Sequence, residues 1–377
     1  MRVLNLSLDK TILEPDSAVQ KRLLLLAEAL GETTPGLGDL ATPFTKGDLT
    51  VCVPGERTER KQLSPHLLVH SVGGPKPFQF FGLWLRARQE LTRKKYDLIT
   101  VQDAHFLGFL AAQLAEKYAV PLEVQIHGFE KMEGGRARLA RFVFGKAKKI
   151  RVVSERLKKE LDLKFKMYDV SKKIYILPVY TQIDLPQKMN KRNTVPVPFT
   201  FLTVGRLVPV KNIGLQISAL AKIAEKIPHV RLRVVGDGPE MANLQQTTNN
   251  LQLQGKVFFE GYQKDLSKYY AEADAFLLTS DSEGWGRVVL EAAAHSLPII
   301  MTNVGLAQEV ITNNESGFII PVGDERELTL AMQEFIGSPE LRSRLGEGAY
   351  KVFKALPRQE EYIQEQVTEW QALVNRK

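Results

Sequence analysis

Short apolar runs rich in Val, Ile and Leu recur about every twenty to thirty residues along this chain, and the segments between them carry helical spacing. In the first half the runs are "RVLNLSL" (2–8), "DLTVCVP" (48–54), "YDLITVQD" (96–103), "PLEVQIHG" (121–128), "IRVVS" (150–154) and "KIYILPVY" (173–180). Segments such as "AVQKRLLLLAEAL" (18–30) and "FLGFLAAQLAEKY" (106–118) read as helices between them. Near-continuous apolar strands alternating with helices specify a parallel sheet covered on both faces. The stretch "PQKMNKRNTVPVP" (186–198), with three prolines among polar and charged residues, has the composition of a linker. After it the alternation restarts at "FTFLTVGRL" (199–207), "VRLRVVGDGP" (230–239), "KVFFEGY" (256–262), "AFLLTS" (275–280), "PIIMT" (298–302) and "GFIIP" (317–321). The expectation is an α/β chain of two doubly wound, Rossmann-like domains facing across a cleft, over 1–186 and 199–356, joined by a linker over 187–198. A tail helix over 357–377 is expected to pack back toward the first domain. Open α/β sheets take their ligands at the carboxyl ends of the strands.

A chain of 377 residues is too long for one ordinary core, which agrees with two domains. Its 44% hydrophobic and 25% charged residues are those of a soluble globular enzyme. No uncharged apolar run approaches the ~18 residues of a membrane span, and "FLGFLAAQLA" (106–115) reads as a buried helix. The run "VLNLSL" after Arg2 is too short for a signal-peptide core. A lone Cys52 allows no internal disulfide. The expected location is therefore cytoplasmic, with a peripheral position on the inner membrane face left open.

The net charge of +8 conceals an asymmetry, because residues 1–192 carry +12 and residues 193–377 carry −4. A basic first half attracts anionic lipid, nucleic acid or an acidic small substrate, and a solubilising basic face is the plain alternative. "FQFFGLWLRARQELTRKK" (78–95) places Phe78, Phe81 and Leu85 at helical spacing ahead of a basic end. Together with "RARLARFVFGKAKKIR" (136–151) it would make a basic patch for an anionic membrane surface, against the competing reading of core helices with solvated faces. Nucleic acid is not expected, since interleaved aromatics and recognition motifs are missing.

Four features of the second half fall on strand ends. Gly205 and Arg206 close the first strand, and Lys211 follows five residues later, so two cations stand where they would clamp a diphosphate. "VVGDGPE" (234–240) holds Gly236 and Gly238 but has Met241 where a dinucleotide fingerprint needs its third glycine. Gly261–Tyr262 ends another strand. In "SEGWGRVVLE" (282–291), Gly284 and Gly286 stand where a helix opens, so free N–H groups and the positive dipole end suit a phosphate. Glu283 precedes the turn, and Glu291 lies about five residues into the helix, roughly 7–8 Å along its axis. Two carboxylates flanking an anion site fit the two ends of a polyhydroxylated ligand. On spacing alone, a cap-region acid and a solvated helix residue remain as good an account of them.

"SEGWGRVVLEAAAHSLPIIMTNVG" (282–305) resembles the E-x7-E segment of the retaining, GT-B-fold glycosyltransferases of family 4 (glycosyl transferases group 1). The resemblance extends to "VGRLVPVKN" (204–212), "VVGDGPE" and "LPIIMTNVGLAQEVITNNESGFIIPVGD" (297–324). It implies a GT-B fold and an enzyme of hexosyltransferase type that moves a sugar from a nucleotide-diphosphate sugar, UDP- or GDP-linked, to a hydroxyl of a glycan or lipid-linked acceptor in polysaccharide biosynthesis. By position, Arg206 and Lys211 would neutralise the departing diphosphate, helped by Gly205 and the N–H groups around Gly284, Trp285, Gly286, Arg287 and Val288. Glu283 would hold donor-sugar hydroxyls, Glu291 the ribose diol, and the loops at Gly238 and Tyr262 would border the base. "VQIHGFE" (124–130) resembles the family's strand ending in a histidine, so His127 would face the donor sugar from the first domain.

Two departures from the family pattern stand out. Where many members carry a Gly-Gly pair after the first strand, this chain has Asp16–Ser17, and Ser17 would offer backbone donors at the start of a helix. Trp285 replaces the usual Phe. No D-x-D is present, so no metal and no cofactor are expected, and the cationic pair would supply the charge neutralisation. His66 and His70 share a face at i, i+4 but lack further ligands. A GT-B-like nucleotide-sugar epimerase, a phosphorylase, and a non-catalytic binder of anionic surfaces are the competing readings.

Overall fold

The apolar runs of the first half form strands buried on both faces because helices cover the sheet from either side. The computed structural model describes residues 1–31, 47–128, 133–165, 170–180, 183 and 198–375. The chain divides into one unit of Met1–Tyr180 with Pro357–Lys377 and a second of Thr181–Leu356. Except for Pro198, the segment 187–198 that reads as a linker lies outside the described residues.

The first unit contains β1 (Arg2–Leu6), α1 (Ala18–Gly31), β2 (Asp48–Pro54), β3 (Glu59–Ser64), β4 (Leu67–Val72), α2 (Lys76–Arg93), β5 (Leu98–Val101), α3 (Phe106–Tyr118), β6 (Leu122–Ile126), α4 (Gly134–Lys146), β7 (Lys149–Val152), α5 (Glu155–Phe165) and β8 (Ile174–Ile176). Among the described residues its sheet runs β3-β4-β2-β1-β5-β6-β7-β8. Every neighbouring pair is parallel except β3 with β4. The antiparallel edge strand β3 is exposed and carries Glu59, Arg60 and Lys61, charges that discourage edge pairing. The sequence reading did not separate this hairpin: His66 sits in its turn and His70 in β4, so the two do not share a strand face. Strand order reverses direction between β1 and β5, which puts the carboxyl ends of those strands at a topological switch point. Right-handed crossovers then place α1 on one face and α2, α3 and α4 on the other, in keeping with the packing of α2 on α3 and α3 on α4.

The second unit contains β9 (Phe199–Val204), α6 (Ile213–Ala224), β10 (Val230–Val235), α7 (Met241–Asn250), β11 (Val257–Gly261), α8 (Ser267–Glu272), β12 (Ala275–Leu278), α9 (Arg287–Ala294), β13 (Ile299–Thr302), β14 (Phe318–Ile320), α10 (Glu325–Gly337) and α11 (Pro339–Lys354). Its sheet is wholly parallel in the order β11-β10-β9-β12-β13-β14. The core packs α6 and α10 over the strands through residues such as Phe201, Ile217, Leu232 and Phe335.

The last helix, α12 (Gln359–Asn375), belongs to the first unit and packs against α1. Tyr362, Gln366 and Trp370, four residues apart, form one buried stripe on it. That stripe meets a polar patch on the sheet. Trp370 Nε1 donates to Glu123 at 2.9 Å, Gln125 Nε2 donates to the same carboxylate at 2.7 Å, and the Tyr175 hydroxyl donates to it as well. Arg151 donates to the carbonyls of Leu177 at 3.0 Å and Pro178 at 2.9 Å, to Gln366 at 2.7 Å and to the Tyr362 hydroxyl. Burial pushes the Glu123 carboxyl up, opposed by these donors and by Arg151. Burial works against the Arg151 charge too, and Tyr362, Tyr175 and Glu123 more than offset it. No described helix is long and apolar enough to cross a membrane.

Removing one partner from such a network leaves buried donors unpaired, which costs about 3 kcal/mol. Glu123→Ala should lower the urea midpoint accordingly, and Glu123→Gln, which keeps an acceptor oxygen, should cost less. Indistinguishable midpoints for the two variants and the wild type would remove this network as the anchor of α12.

Candidate active site

In the second unit the strand order turns back between β9 and β12, so the loops after these strands diverge and leave a crevice at their carboxyl ends. The first loop carries Gly205, Arg206 and Lys211; the second carries Glu283, Gly284, Trp285 and Gly286. Lys211 Nζ forms an ion pair with Glu283 Oε1, and Ser280 Oγ donates to the same oxygen at 2.7 Å. Asn212 Nδ2 donates to Asp281 at 3.0 Å and Asp281 N to the Val210 carbonyl at 2.8 Å, so the loops are fastened along their length. The Glu283 side chain is consequently only 12% exposed. Arg206 is exposed and forms no ion pair among the described residues.

The loops after β9 and β10 touch backbone to backbone. A Cβ on Gly236, whose φ is 139°, would stand 1.9 Å from the Gly205 carbonyl oxygen, and one on Gly238 would stand 2.2 Å from that of Leu207. Leu207 N donates to Asp237 O at 2.9 Å and Glu240 N to Leu207 O at 3.0 Å. Close loop packing therefore accounts for the two glycines of "VVGDGPE" without a dinucleotide fingerprint. Gly236 N donates to Gly261 O at 2.8 Å, which brings in the loop after β11, where Tyr262 is 78% exposed.

Helix α9 opens at Gly286, which has φ 96° and no side chain to cap the first turn. Its first backbone bond runs from Val289 N to Gly286 O at 2.9 Å, ahead of which stand the N–H groups of Arg287 and Val288 at the positive end of the dipole. Arg287 is exposed. Trp285 is 7% exposed, and its carbonyl accepts from Leu306 N at 2.9 Å, so the indole anchors the turn from inside.

Glu291, on the same helix, accepts the Tyr270 hydroxyl proton at 2.8 Å. Burial pushes its carboxyl up, opposed by the Tyr270 bond, Arg287 and His295. His295 stacks on Tyr270 at 5.0 Å and its Nδ1 lies 2.8 Å from the Glu291 carbonyl. A solvated helix residue has no such supports, so that plainer reading of Glu291 fails. Tyr270, His295 and Ser280 escaped the sequence reading. Neither Tyr270 nor Ser280 carries a spacing signal, and His295 is one turn after Glu291, where i, i+4 pairing could have indicated it.

In the first unit, His127 follows β6 directly. Burial, then the charges of Arg151 and Arg22, push its imidazole down to about 3. It is neutral at physiological pH and presents one donor and one acceptor. His127 Nε2 is buried without a partner among the described residues. The ring borders a cavity of about 20 Å³ of mixed lining, where Asn5, Gln102, Gln125 and Gln366 stand among Leu23, Leu49 and Trp370. At the switch point of this unit, Asp16 has a left-handed backbone with φ 61° and is exposed. Asp tolerates that conformation and glycine adopts it freely, so the backbone here retains a shape suited to glycine. Ser17 is committed locally: its Oγ donates to Thr11 O at 2.6 Å and accepts from Gln20 N at 3.1 Å, and its N–H goes to Glu14 O at 3.3 Å. This corrects the expectation that Ser17 offers backbone donors.

His66 Nδ1 lies 2.9 Å from Gly47 O, and His70 Nε2 lies 3.1 Å from Glu90 inside the core. No metal-ligating cluster occurs among the described residues.

Comparison with known proteins locates these features in two family models. Residues 186–352 match Glycosyl transferases group 1, and residues 46–178 match Glycosyltransferase Family 4. The N-acetyl-alpha-D-glucosaminyl L-malate synthase of Bacillus anthracis is 31% identical over 171 residues, covering 45% of each chain. The chain thus spans less than half the length of curated relatives that it matches. Sucrose-phosphate synthase from Thermosynechococcus elongatus superposes with a TM-score of 0.77 at 20% identity, covering 99% of both chains. Anabaena HepE, solved with UDP, superposes with a TM-score of 0.75 at 19% identity, covering 99% of this chain and 100% of that one.

The depressed imidazole of His127 makes a pH prediction. The unfolded chain takes up this proton near pH 6.5 and the folded chain only near 3, so stability present at pH 7 is lost as pH falls from about 6.5 toward 3. His127→Gln removes that titration. The urea midpoint of the variant should therefore gain on the wild type between pH 7 and about 4.5, and a gap that is constant with pH would show that His127 titrates normally.

Proposed function

The chain belongs to the GT-B glycosyltransferases of group 1 and family 4, and from that premise we propose that it transfers a sugar from a nucleotide-diphosphate sugar to a hydroxyl of a glycan or lipid-linked acceptor. The donor is UDP- or GDP-linked, the enzyme is a cytoplasmic hexosyltransferase of polysaccharide biosynthesis, and the anomeric configuration is retained without a metal ion. One observation carries this reading: the uncapped start of α9 lies between two supported carboxylates, Glu283 and Glu291, on the unit that also presents Arg206 and Lys211. An anion site flanked by hydroxyl acceptors suits a molecule that is a diphosphate in the middle and a sugar at each end. The UDP held by Anabaena HepE supports the choice of donor class.

On this reading the diphosphate takes the first-turn N–H groups of α9, and Arg206 and Lys211 neutralise the charge that builds on it as the bond to the sugar carbon breaks. The acceptor oxygen attacks from the face the diphosphate leaves, and its proton passes to a departing phosphate oxygen. Lys211 shares its charge with Glu283, so the same pair orients the carboxylate toward donor hydroxyls. Tyr270 and His295 hold Glu291 for the ribose diol, Tyr262 borders the base, and the neutral His127 hydrogen-bonds a sugar hydroxyl.

A thermal-shift panel of UDP-, GDP-, ADP- and dTDP-sugars tests the donor, because a ligand that binds only the folded state raises the melting temperature. Glu291→Ala should weaken the responding nucleotide sugar about tenfold. Arg206→Ala should lower kcat by roughly 100-fold or more with a smaller effect on binding. If no sugar nucleotide shifts the melting temperature, or both substitutions are silent, the assignment is wrong.

A further inference from the structure

One surface of the first unit has no part in the proposed reaction. Phe78, Phe81 and Leu85 line one side of α2, with Phe78 70% and Phe81 58% exposed. Phe81 stacks on Trp84 at 5.7 Å, and Phe80 meets Phe106 of α3 edge-on at 5.2 Å. Phe109 of α3 meets Phe142 of α4, also at 5.2 Å, and both Phe106 and Phe142 are exposed. Aromatic contacts thus run from α2 through α3 to α4 on the sheet face away from α1 and α12. A soluble monomer rarely leaves this many large aromatics in water.

The charges interleaved with these rings have one sign. Lys76, Arg88 and Arg93 on α2, and Arg136, Arg138 and Arg141 on α4, are exposed. Arg88 lies over the Trp84 ring at 5.5 Å and Lys146 over Phe142 at 5.9 Å, so cations sit directly beside the apolar surface. Apart from Glu133, exposed directly ahead of α4, the acids nearby are already committed. Glu90, the one acid of α2, is buried against His70 and Tyr96; α4 has none; Glu116 of α3 pairs with Lys146; and Asp103 accepts the N–H groups of His105 and Gly108.

We propose that the α2–α3–α4 face docks the protein on an anionic lipid bilayer, with the phenylalanines entering the interface and the cations meeting lipid phosphates. Exposed rings beside a polycationic rim match the layered chemistry of a membrane surface. A second copy of this chain fits worse, since a symmetric pairing would set this face against itself and bring like charges together. Nucleic acid would take the cations but leave exposed phenylalanines such as Phe78 without the recognition pattern it requires. The inference goes beyond the transfer reaction and does not depend on it.

Vesicle flotation of the full chain tests it without an activity assay. Partition onto phosphatidylcholine vesicles containing about one-quarter phosphatidylglycerol should exceed that onto pure phosphatidylcholine by at least ~10-fold, and about 0.5 M salt should suppress it. Phe78→Ser with Phe81→Ser should reduce partition by about 10-fold while leaving the circular dichroism and melting temperature unchanged. Equal binding to neutral and anionic vesicles, or wild-type binding by the double variant, overturns the proposal. So does a concentration-dependent dimer that the double variant abolishes in the absence of binding to vesicles, and so does a shift with DNA in that same absence.

Discussion

Two buried charges, Glu123 on β6 and Arg151 on β7, organise the first unit from its interior. Taking charges out of water is unfavourable unless each finds several partners, and here the partners come from two stretches far apart in the sequence. Tyr175, Leu177 and Pro178 supply one set and Tyr362, Gln366 and Trp370 of α12 the other. The tail helix is therefore part of this unit by chemistry as well as by packing. The same Arg151 acts on His127, because its charge adds to burial in holding the imidazole neutral. Anchoring α12 and fixing the protonation state of His127 are two consequences of one placement.

A comparable economy governs the second unit. Lys211 and Glu283 lie 72 positions apart, on loops that leave neighbouring strands, and their ion pair closes the crevice between β9 and β12. A cation beside the diphosphate gains attraction as bond cleavage adds charge to the leaving group, and a gain confined to the transition state raises kcat. On the proposed reaction Lys211, held in place by its pair, and the exposed Arg206 both favour the state in which the diphosphate has begun to depart.

The alternation of apolar runs made two parallel sheets legible, because strands buried on both faces need continuous Val, Ile and Leu, as in "DLTVCVP" and "FTFLTVGRL". The hairpin of β3 and β4 was not legible, since β3 is an exposed edge whose "ERKQLS" carries no buried face to reveal it. In "PLEVQIHG" the alternate residues Glu123 and Gln125 signal a buried polar face, and Tyr362, Gln366 and Trp370 at four-residue spacing signal its cover. Neither half has meaning until the tail is known to lie on that strand. The loop positions of Gly205, Lys211, Glu283 and Glu291 could be read from strand ends. Tyr270 and the inward turn of Trp285 could not, because both depend on how α8 and α9 pack.

Charge was readable as a total long before it was readable as a surface. The excess of +12 in residues 1–192 is compatible with a solvated rim spread evenly over the unit, and composition cannot separate that from a concentrated face. The separation comes from where the acids lie. Glu90 is drawn into the core by His70 and Tyr96, so the one acid of α2 is withdrawn from its exposed phenylalanines, and Glu116 of α3 is paired with Lys146. Core packing of β4 against α2 therefore determines the electrostatic character of the outer side of α2. A buried histidine that has no role in catalysis can in this way shape what the protein binds.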